Sequence, residues 1–405
     1  MSTVLFGISG SIAAFKALEV IRLLVADGVR VVPILSEGGK HFVTRATVEA
    51  ITGNPAITEI FPENASQEIE HIALAQEADL LVTCPASADI IAKYATGIAD
   101  DPLALVALAF GTPHLIAPAM NHRMWDHPAT TANVKTLKER GCVFVGPDKG
   151  MMACGEEGWG RLSPVNLIYD HICAELGKNG PLAGKRVLVS AGATKEFLDD
   201  VRYLTNRSTG KMGYAIASAA RDMGAEVVLV TASDIDAPSA MRVEKVSSAL
   251  EMHEMIMKEA EFADAVVMTA AVADFMPSEK ATGKIKKSGQ PDTHTLELVK
   301  TPDILKKLGE SKREGRVLVG FAAEYGDNGV EEATRKCREK SCDFLCLNDV
   351  SREDVGFASE HNELTVIHPD GKVEKIPRSS KLEQAKDIIS LIAEILTERN
   401  VISEE

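Results

Sequence analysis

Several residues of this chain have types and spacings that chemistry uses, beginning with a thiol. Residues 150–161, GMMACGEEGWGR, set Cys154 among four glycines, two acids and an arginine, with neither a helical nor a strand period. A cysteine in such charged, glycine-rich surroundings has the setting of a reactive thiol, a buried inert one being the alternative. His71, in SQEIEHIALAQEAD, falls near the start of an amphipathic stretch, where a histidine is either a surface or capping group or a catalyst. In APAMNHRMWDHP (117–128), Asn121 lies with a histidine and an arginine inside a patch of Met120, Met124 and Trp125. Such a patch is either core or a lid over a flat aromatic ligand.

Anion binding is the second theme. The loop GISGS (7–11) lacks the G-x-G-x-x-G spacing, and the next strand ends on Ser36 where a dinucleotide fold has a ribose-binding acid, which disfavours NAD. Ser9, Ser11 and Ser36, with backbone amides at a helix N-terminus, suit a single phosphate such as that of FMN, or else they only cap the turn. Ser87, ahead of Asp89 in CPASADIIAK, is a helix cap or a further contact. In the second half TNRSTGKMG (205–213) opens a helix with Lys211 in its first turn and no Walker A spacing, which fits a phosphate site and not a Walker-type ATPase. KATGKIKKSG (280–289) gathers Lys280, Lys284, Lys286 and Lys287 into a solvated loop or a clamp for a triphosphate. Lys336 and Lys340 stand four apart on one predicted helix, a spacing common in salt-bridged surfaces.

These residues need elements to hold them. TVLFGI (3–8) predicts a strand, IAAFKALEVIRLLVADG a helix ending on Gly28, and VRVVPILS, ADLLVTCPAS and TPHLIAPAM further strands running into loops of small or polar residues. The pattern restarts at GKRVLVSAGATKE (184–196) and continues through AEVVLVTAS, ADAVVMTAAVADF, RVLVGFAAE and CDFLCLNDV. Strands separated by helical stretches imply α/β architecture: two Rossmann-like three-layer domains with mainly parallel sheets. ELGKNGPLAGK, with three glycines and a proline, reads as the connection, giving domains 1–175 and 185–405 with a linker over 176–184. Ligands of such sheets bind beyond the carboxyl ends of the strands, where the polar residues above fall.

Composition narrows the partners. The chain has 405 residues, 45% of them hydrophobic and 25% charged, and carries 44 Lys and Arg against 59 Asp and Glu, a net charge of -15. That is folded-protein composition, and its sign argues against nucleic acid or an anionic membrane as main partner. Seven cysteines without a CxxC pair, an absent basic leader and no long apolar run lead us to expect a cytoplasmic protein outside the membrane.

GSIAAFK, IEHI, PAMNHRMW and ACGEEGWGR occur in an order and at spacings that resemble the flavin-dependent cysteine decarboxylases, phosphopantothenoylcysteine decarboxylase above all. The resemblance implies FMN as cofactor, with Ser9, Ser11, Ser36 and Ser87 as contacts. It implies His71 as the base of an initial oxidation to a thioaldehyde, Asn121 as the grip on the substrate carboxylate, and Cys154, on a flexible flap, as proton donor to the enethiolate left by CO2 loss. Met152 stands where that family usually has leucine.

The second half resembles phosphopantothenate–cysteine ligase through SAGATKEFLDDVRYLTNRSTGKMG, AAVADF, GKIKK, TPDIL, GFAAE and NDVS, over about 185–370. By that resemblance 4'-phosphopantothenate, CTP and L-cysteine are the substrates, and the carboxylate attacks the α-phosphate to give an acyl-cytidylate that cysteine's amine resolves. Asn206 is then the acyl-cytidylate contact. Ala270, Ala271, Asp274, Lys284, Pro302, Asp303, Ile304, Leu305, Phe321, Lys336 and Lys340 form the nucleotide site, with Mg2+ held chiefly by phosphate oxygens and water. The bifunctional form implies a homo-oligomer, a dodecamer of decarboxylase trimers and ligase dimers. Two other readings compete: a non-catalytic flavoprotein-fold regulatory subunit, which the presence of Cys154, His71 and Asn121 opposes, and an NAD dehydrogenase, which the missing fingerprint opposes.

Overall fold

Two sheets, one in each half of the chain, carry the architecture. The computed structural model describes residues 2–60, 70–111, 113–151, 155–286, 295–324, 329–349 and 361–404, which divide into units of residues 1–176 and 177–405.

The first unit runs β1 (Thr3–Ile8), α1 (Ala14–Ala26), β2 (Arg30–Leu35), α2 (Arg45–Thr52), α3 (Glu70–Glu77), β3 (Leu80–Ala86), α4 (Ala88–Thr96), α5 (Pro102–Phe110) and β4 (His114–Pro118). It continues with α6 (His122–Trp125), α7 (Pro128–Glu139), β5 (Val143–Phe144), β6 (Asp148–Met151), β7 (Glu157–Arg161) and α8 (Val165–Gly177). Five strands pair in parallel in the order β2-β1-β3-β4-β5. Every residue of β1 is buried, because alternate side chains feed opposite layers. Val4, Phe6 and Ile8 belong to the apolar layer shared with α1 and α8, whereas Leu5 belongs to the layer of the other face, with Ile90, Ile91, Leu103 and Leu137. From β1 the chain goes outward to β2 and then crosses to β3, so the switch point lies between β1 and β3, the arrangement of flavodoxin-like sheets.

The second unit runs β8 (Arg186–Ala191), β9 (Lys195–Phe197), β10 (Tyr203–Thr205), α9 (Lys211–Asp222), β11 (Glu226–Thr231), β12 (Arg242–Lys245), α10 (Ala249–Ala260), β13 (Ala265–Met268) and β14 (Phe275–Pro277). There follow β15 (Leu298–Lys300), α11 (Ile304–Glu310), β16 (Val317–Glu324), α12 (Gly329–Glu339), β17 (Phe344–Asp349), β18 (His361–Ile367), β19 (Val373–Ser380) and α13 (Lys381–Glu404). Its sheet has the order β12-β11-β8-β13-β16-β17-β18-β19, parallel through β17 and antiparallel for the last two strands. Counted within the unit this is 3-2-1-4-5-6 with a hairpin added, a Rossmann order whose switch point lies between β8 and β13. Both sheets are covered on two sides, giving the α/β three-layer architecture.

The stretch around residue 180 is no slack tether. Leu182 is fully buried in the second core, its N–H donates to the Met223 carbonyl (2.9 Å), and a Cβ on Gly177 would stand 2.1 Å from the Asp222 carbonyl oxygen. Composition alone, rich in glycine, does not show that Leu182 is an anchor. No described helix is long and apolar enough to cross a membrane.

Candidate active sites

At the switch point of the first sheet a single hydroxyl stitches two loops. The buried Ser9 donates its Oγ hydrogen to the Pro85 carbonyl (2.7 Å) and accepts from the Ser87 N–H (2.8 Å), and its own N–H donates to the Pro85 carbonyl at 3.2 Å. With that hydrogen committed, Ser9 positions the crevice and leaves donation to other groups. Ser36 closes the turn after β2 by accepting from the Gly39 N–H (3.0 Å), and Ser87 caps α4 by accepting from the Ile90 N–H (3.3 Å). α1 differs: its N-cap is Ala13, with no side-chain cap, so the electropositive end of this helix faces the crevice uncapped. Ser11 sits beside it, half-buried, accepting from the Ala13 N–H at 3.4 Å. A Cβ on Gly10 would stand 3.1 Å from Gly38 Cα, so the walls between the β1 and β2 loops are bare backbone. An uncapped helix start, a serine and side-chain-free walls fit a phosphate-bearing planar cofactor.

The 150–161 stretch, aperiodic as a sequence, has paired arms. β6 and β7 are antiparallel, with Gly150 opposite Gly158 and Met151 opposite Glu157. Its ladder is made by backbone, and glycines at 150, 158 and 160 erase the side-chain alternation that would have announced it. β7 seats on the Asn121 turn: the Met120 N–H donates to the Gly160 carbonyl (3.0 Å), and Cβ atoms on Gly158 and Gly160 would stand 2.6 Å from His122 Cβ and 2.2 Å from the Met120 carbonyl oxygen. Asn121 is the N-cap of α6, its Oδ1 accepting from the Arg123 N–H at 2.9 Å. His71 is the second residue of α3. Cys154 lies outside the described residues. Among the other cysteines, burial pushes Cys84 and Cys342 up to about 12 and Cys337 up to about 11, and raises Cys142 and Cys346 as well. None of these five is a thiolate at neutral pH.

In the second unit eleven expected residues line one cleft of about 930 Å³ beyond the carboxyl ends of β8, β13, β16 and β17: Asn206, Ala270, Ala271, Asp274, Pro302 to Leu305, Phe321, Lys336 and Lys340. Backbone bonds fix its floor. The Ala270 N–H donates to Ser190 Oγ (3.1 Å), the Ala271 N–H to the Gly192 carbonyl (2.8 Å) and the Ala273 N–H to Thr194 Oγ1 (3.0 Å). Asn206 donates Nδ2 to the Ala271 and Val272 carbonyls (3.2 and 3.4 Å), joining the hairpin of β9 and β10 to that floor. Asp303 caps α11 through the Lys306 N–H (3.0 Å) and pairs with Lys340 Nζ at 3.0 Å.

Charge distinguishes this cleft from the rest of the molecule. Among the described residues Arg207, Lys211, Lys300, Lys336, Lys340 and Lys381 line it with Asp274 and Asp303, six cations to two anions in a chain of net charge -15. α9 starts at the cleft from Gly210 (φ 84°) with no side-chain cap, adding its dipole to the same end. Thr209 Oγ1 and Asn348 Oδ1, on residues lining the cleft, are buried with no hydrogen-bond partner. Buried polar atoms are nearly always paired, and a polar ligand would pair these.

Lys284 stands apart. It is exposed and does not line the cleft. The base of its loop is tied to the β9–β10 turn by Asp199, which accepts from the Ile285 N–H (3.1 Å), and by Asp200, which accepts from the Gly283 N–H (2.8 Å). The Arg202 guanidinium and the N–H groups of Val201, Ile285 and Arg202 hold the Asp199 carboxyl well below the usual carboxylate range.

Arg207, Lys300, Thr301, Asn348 and Lys381 were not expected. Lys381 heads α13, far along the chain from the other lining residues, and carries no local signal. The glycines were a legible signal in a disguised form. Gly192 ends β8 with φ 83°, Gly210 approaches it so closely that its Cβ would lie 3.0 Å from the Gly192 nitrogen, and a Cβ on Gly213 would lie 2.5 Å from Ala191 Cβ. They occupy the tight-turn, close-approach and helix-packing places of a nucleotide-binding turn, with the β9–β10 hairpin inserted after the first glycine.

Two family models divide the chain as the sheets do: Flavoprotein over residues 1–177, and DNA/pantothenate metabolism flavoprotein C-terminal domain over residues 182–396. Curated relatives match from end to end. The coenzyme A biosynthesis bifunctional protein CoaBC of Vibrio cholerae is 42% identical over 395 residues, 96% of this chain and 98% of that protein. The chain belongs to the family of bifunctional coenzyme A biosynthesis proteins. The CoaBC of Bacillus subtilis is 41% identical over 96% of each chain, and that of Mycobacterium tuberculosis 40% identical over 97% of this chain and 96% of that protein. Among solved structures, the C-terminal domain of a CoaBC is similar to 54% of this chain (99% of that chain; 39% identity, TM-score 0.46), and the FMN binding protein AtHal3 to 42% (94% of that chain; 28% identity, TM-score 0.37). As a member of the CoaBC family the chain is an enzyme with two activities, decarboxylase and ligase.

Proposed function

We propose that residues 177–405 couple 4'-phosphopantothenate to L-cysteine at the expense of CTP, and that residues 1–176 decarboxylate the product with FMN to give 4'-phosphopantetheine. The observation that carries the ligase assignment is the basic cleft at the β8–β13 switch point, with two unpartnered buried polar atoms in an otherwise acidic chain. Lys336, Lys340, Lys211 and the start of α9 neutralise the triphosphate, so that a substrate carboxylate can attack the α-phosphate without meeting bare negative charge. Asn206, fixed against the Ala271 and Val272 carbonyls, contacts the acyl-cytidylate. Cysteine's amine then displaces CMP, a good leaving group where a carboxylate has none. Among the described residues no group of three or more His, Cys, Asp or Glu side chains forms a metal cage, which suits Mg2+ arriving with the nucleotide, held by phosphate oxygens and water.

In the first unit the N-terminus of α1, with Ser11, Ser36 and Ser87 at the crevice, would hold FMN, whose contribution when bound is reversible two-electron oxidation. Asn121 holds the substrate carboxylate, His71 accepts the proton released on oxidation, and Cys154 returns one after CO2 has left. Ile12, Phe15 and Phe42, exposed on segments following β1 and β2, support a crevice completed by a neighbouring subunit, as in a dodecamer of decarboxylase trimers and ligase dimers. Cys84, Cys142, Cys337, Cys342 and Cys346 are free thiols, which supports a cytoplasmic setting.

The test is a coupled assay with 4'-phosphopantothenate, CTP, Mg2+ and cysteine, read by mass spectrometry. Wild type yields 4'-phosphopantetheine, Cys154→Ala stalls at an oxidised enethiol after CO2 loss, and Asn206→Ala makes no amide. Pyrophosphate release without CO2 release would make the first unit a scaffold, and the absence of both would refute the assignment.

A further inference from the structure

Three consecutive side chains of the Asn121 turn converge on one carboxylate. Glu156 immediately precedes β7. Its Oε1 accepts from Arg123 Nη2 at 3.1 Å, its Oε2 accepts from Asn121 Nδ2 at 3.4 Å, and Oε2 stands 3.5 Å from His122 Nδ1. The backbone carrying Glu156 is held close by β7, which seats on the same turn through Gly158 and Gly160 with no room for a methyl group.

An asparagine amide exchanges its oxygen and nitrogen by a simple rotation that leaves its shape unchanged, so its hydrogen-bond partners alone decide which atom faces where. Here the Arg123 N–H donates to Oδ1, which demands oxygen on the α6 side. A carboxylate only accepts, so Glu156 demands nitrogen on the hairpin side. The two demands agree, and they exclude the flipped amide.

We propose that Glu156 is a positioning residue for decarboxylation: it holds the Asn121 carboxamide with its donor nitrogen turned to the substrate carboxylate, and Arg123 holds Glu156 in place. The inference rests on the reading of Asn121 as the carboxylate grip. A flipped amide would present an oxygen to the carboxylate and repel it. The Arg123 guanidinium offsets the charge Glu156 brings to the site.

The experiment uses the full-length, FMN-loaded chain carrying Glu156→Gln, whose side chain keeps its size but donates as well as accepts, so that only the Arg123 N–H still opposes a flip of the amide. Two quantities are compared: KM for 4'-phosphopantothenoylcysteine, and the inhibition constant of 4'-phosphopantetheine, which has the same body without the carboxylate. We expect KM to rise about tenfold and the inhibition constant to stay within about twofold, with CTP-dependent pyrophosphate release unchanged as a check on folding. An equal rise in both constants would mean that Glu156 merely supports the hairpin, and no rise in either would mean that it does nothing for Asn121; both outcomes overturn the proposal. Asn121→Ala separates the two inferences. If it raises the substrate KM alone, the carboxylate grip stands and the constants of Glu156→Gln decide the role of Glu156. If it moves both constants or neither, the grip itself is wrong and the proposal falls with it.

Discussion

His114 shows how far burial takes a single titratable group. Its side chain is 3% exposed, its Nε2 lies 2.9 Å from Thr83 Oγ1, and its ring meets Tyr94 edge-on at 4.9 Å. Burial pushes it down to about 3 from an ordinary 6.5. The folded state therefore resists a proton that the unfolded chain takes up below about pH 6.5, so this contribution to stability is complete above that pH and is lost as pH falls towards 3. We predict that urea midpoints of the first unit fall between pH 7.5 and 4.5, and that His114→Leu flattens the fall by on the order of a few kcal/mol. An equal slope in the variant would show that other groups govern the acid limb. Sequence offered no hint of this role, since a histidine in a strand reads alike whether paired inside or exposed. Ser9 is similar: its type pointed to an anion, and only its partners revealed that its hydroxyl ties two loops together.

Elements were legible wherever strands are buried on both faces, because β1, β3, β8 and β13 are continuous apolar runs bounded by turns. The hairpin of β6 and β7 was hidden by glycine. β19 was hidden by charge and by Pro377, both of which an edge strand tolerates. The residues lining the cleft of the second unit were largely legible as motifs, but its glycine turn was not, because the β9–β10 insertion spreads Gly192 from Gly210 and breaks the spacing a fingerprint needs. That the connection carries an anchor was not legible from its composition. Leu182→Ala is expected to cost the second unit about 2–5 kcal/mol by opening a cavity. In calorimetry the transition of residues 177–405 should drop while that of the first unit holds. A drop in the first instead would place Leu182's energetic role elsewhere.

On the scale of the whole molecule, each unit has its own pair of apolar layers around its own sheet, and the sites open where strand order reverses. The split phosphate turn has a kinetic consequence. A contiguous glycine loop can form as soon as its few residues are made. This turn needs Gly192, Gly210 and the Ala271 backbone brought together across the sheet, contacts distant in sequence that ordinarily form late in folding. Nucleotide then finds nothing to bind until the barrier has been crossed. CTP should leave the refolding rate of the second unit unchanged and slow its unfolding, all of its stabilisation appearing in the second rate. Stopped-flow chevrons with and without the nucleotide decide the point, and faster refolding in its presence would show a turn assembled early. The native state would then be guarded against loss by the nucleotide proposed as its substrate, and would acquire that protection only once it is complete.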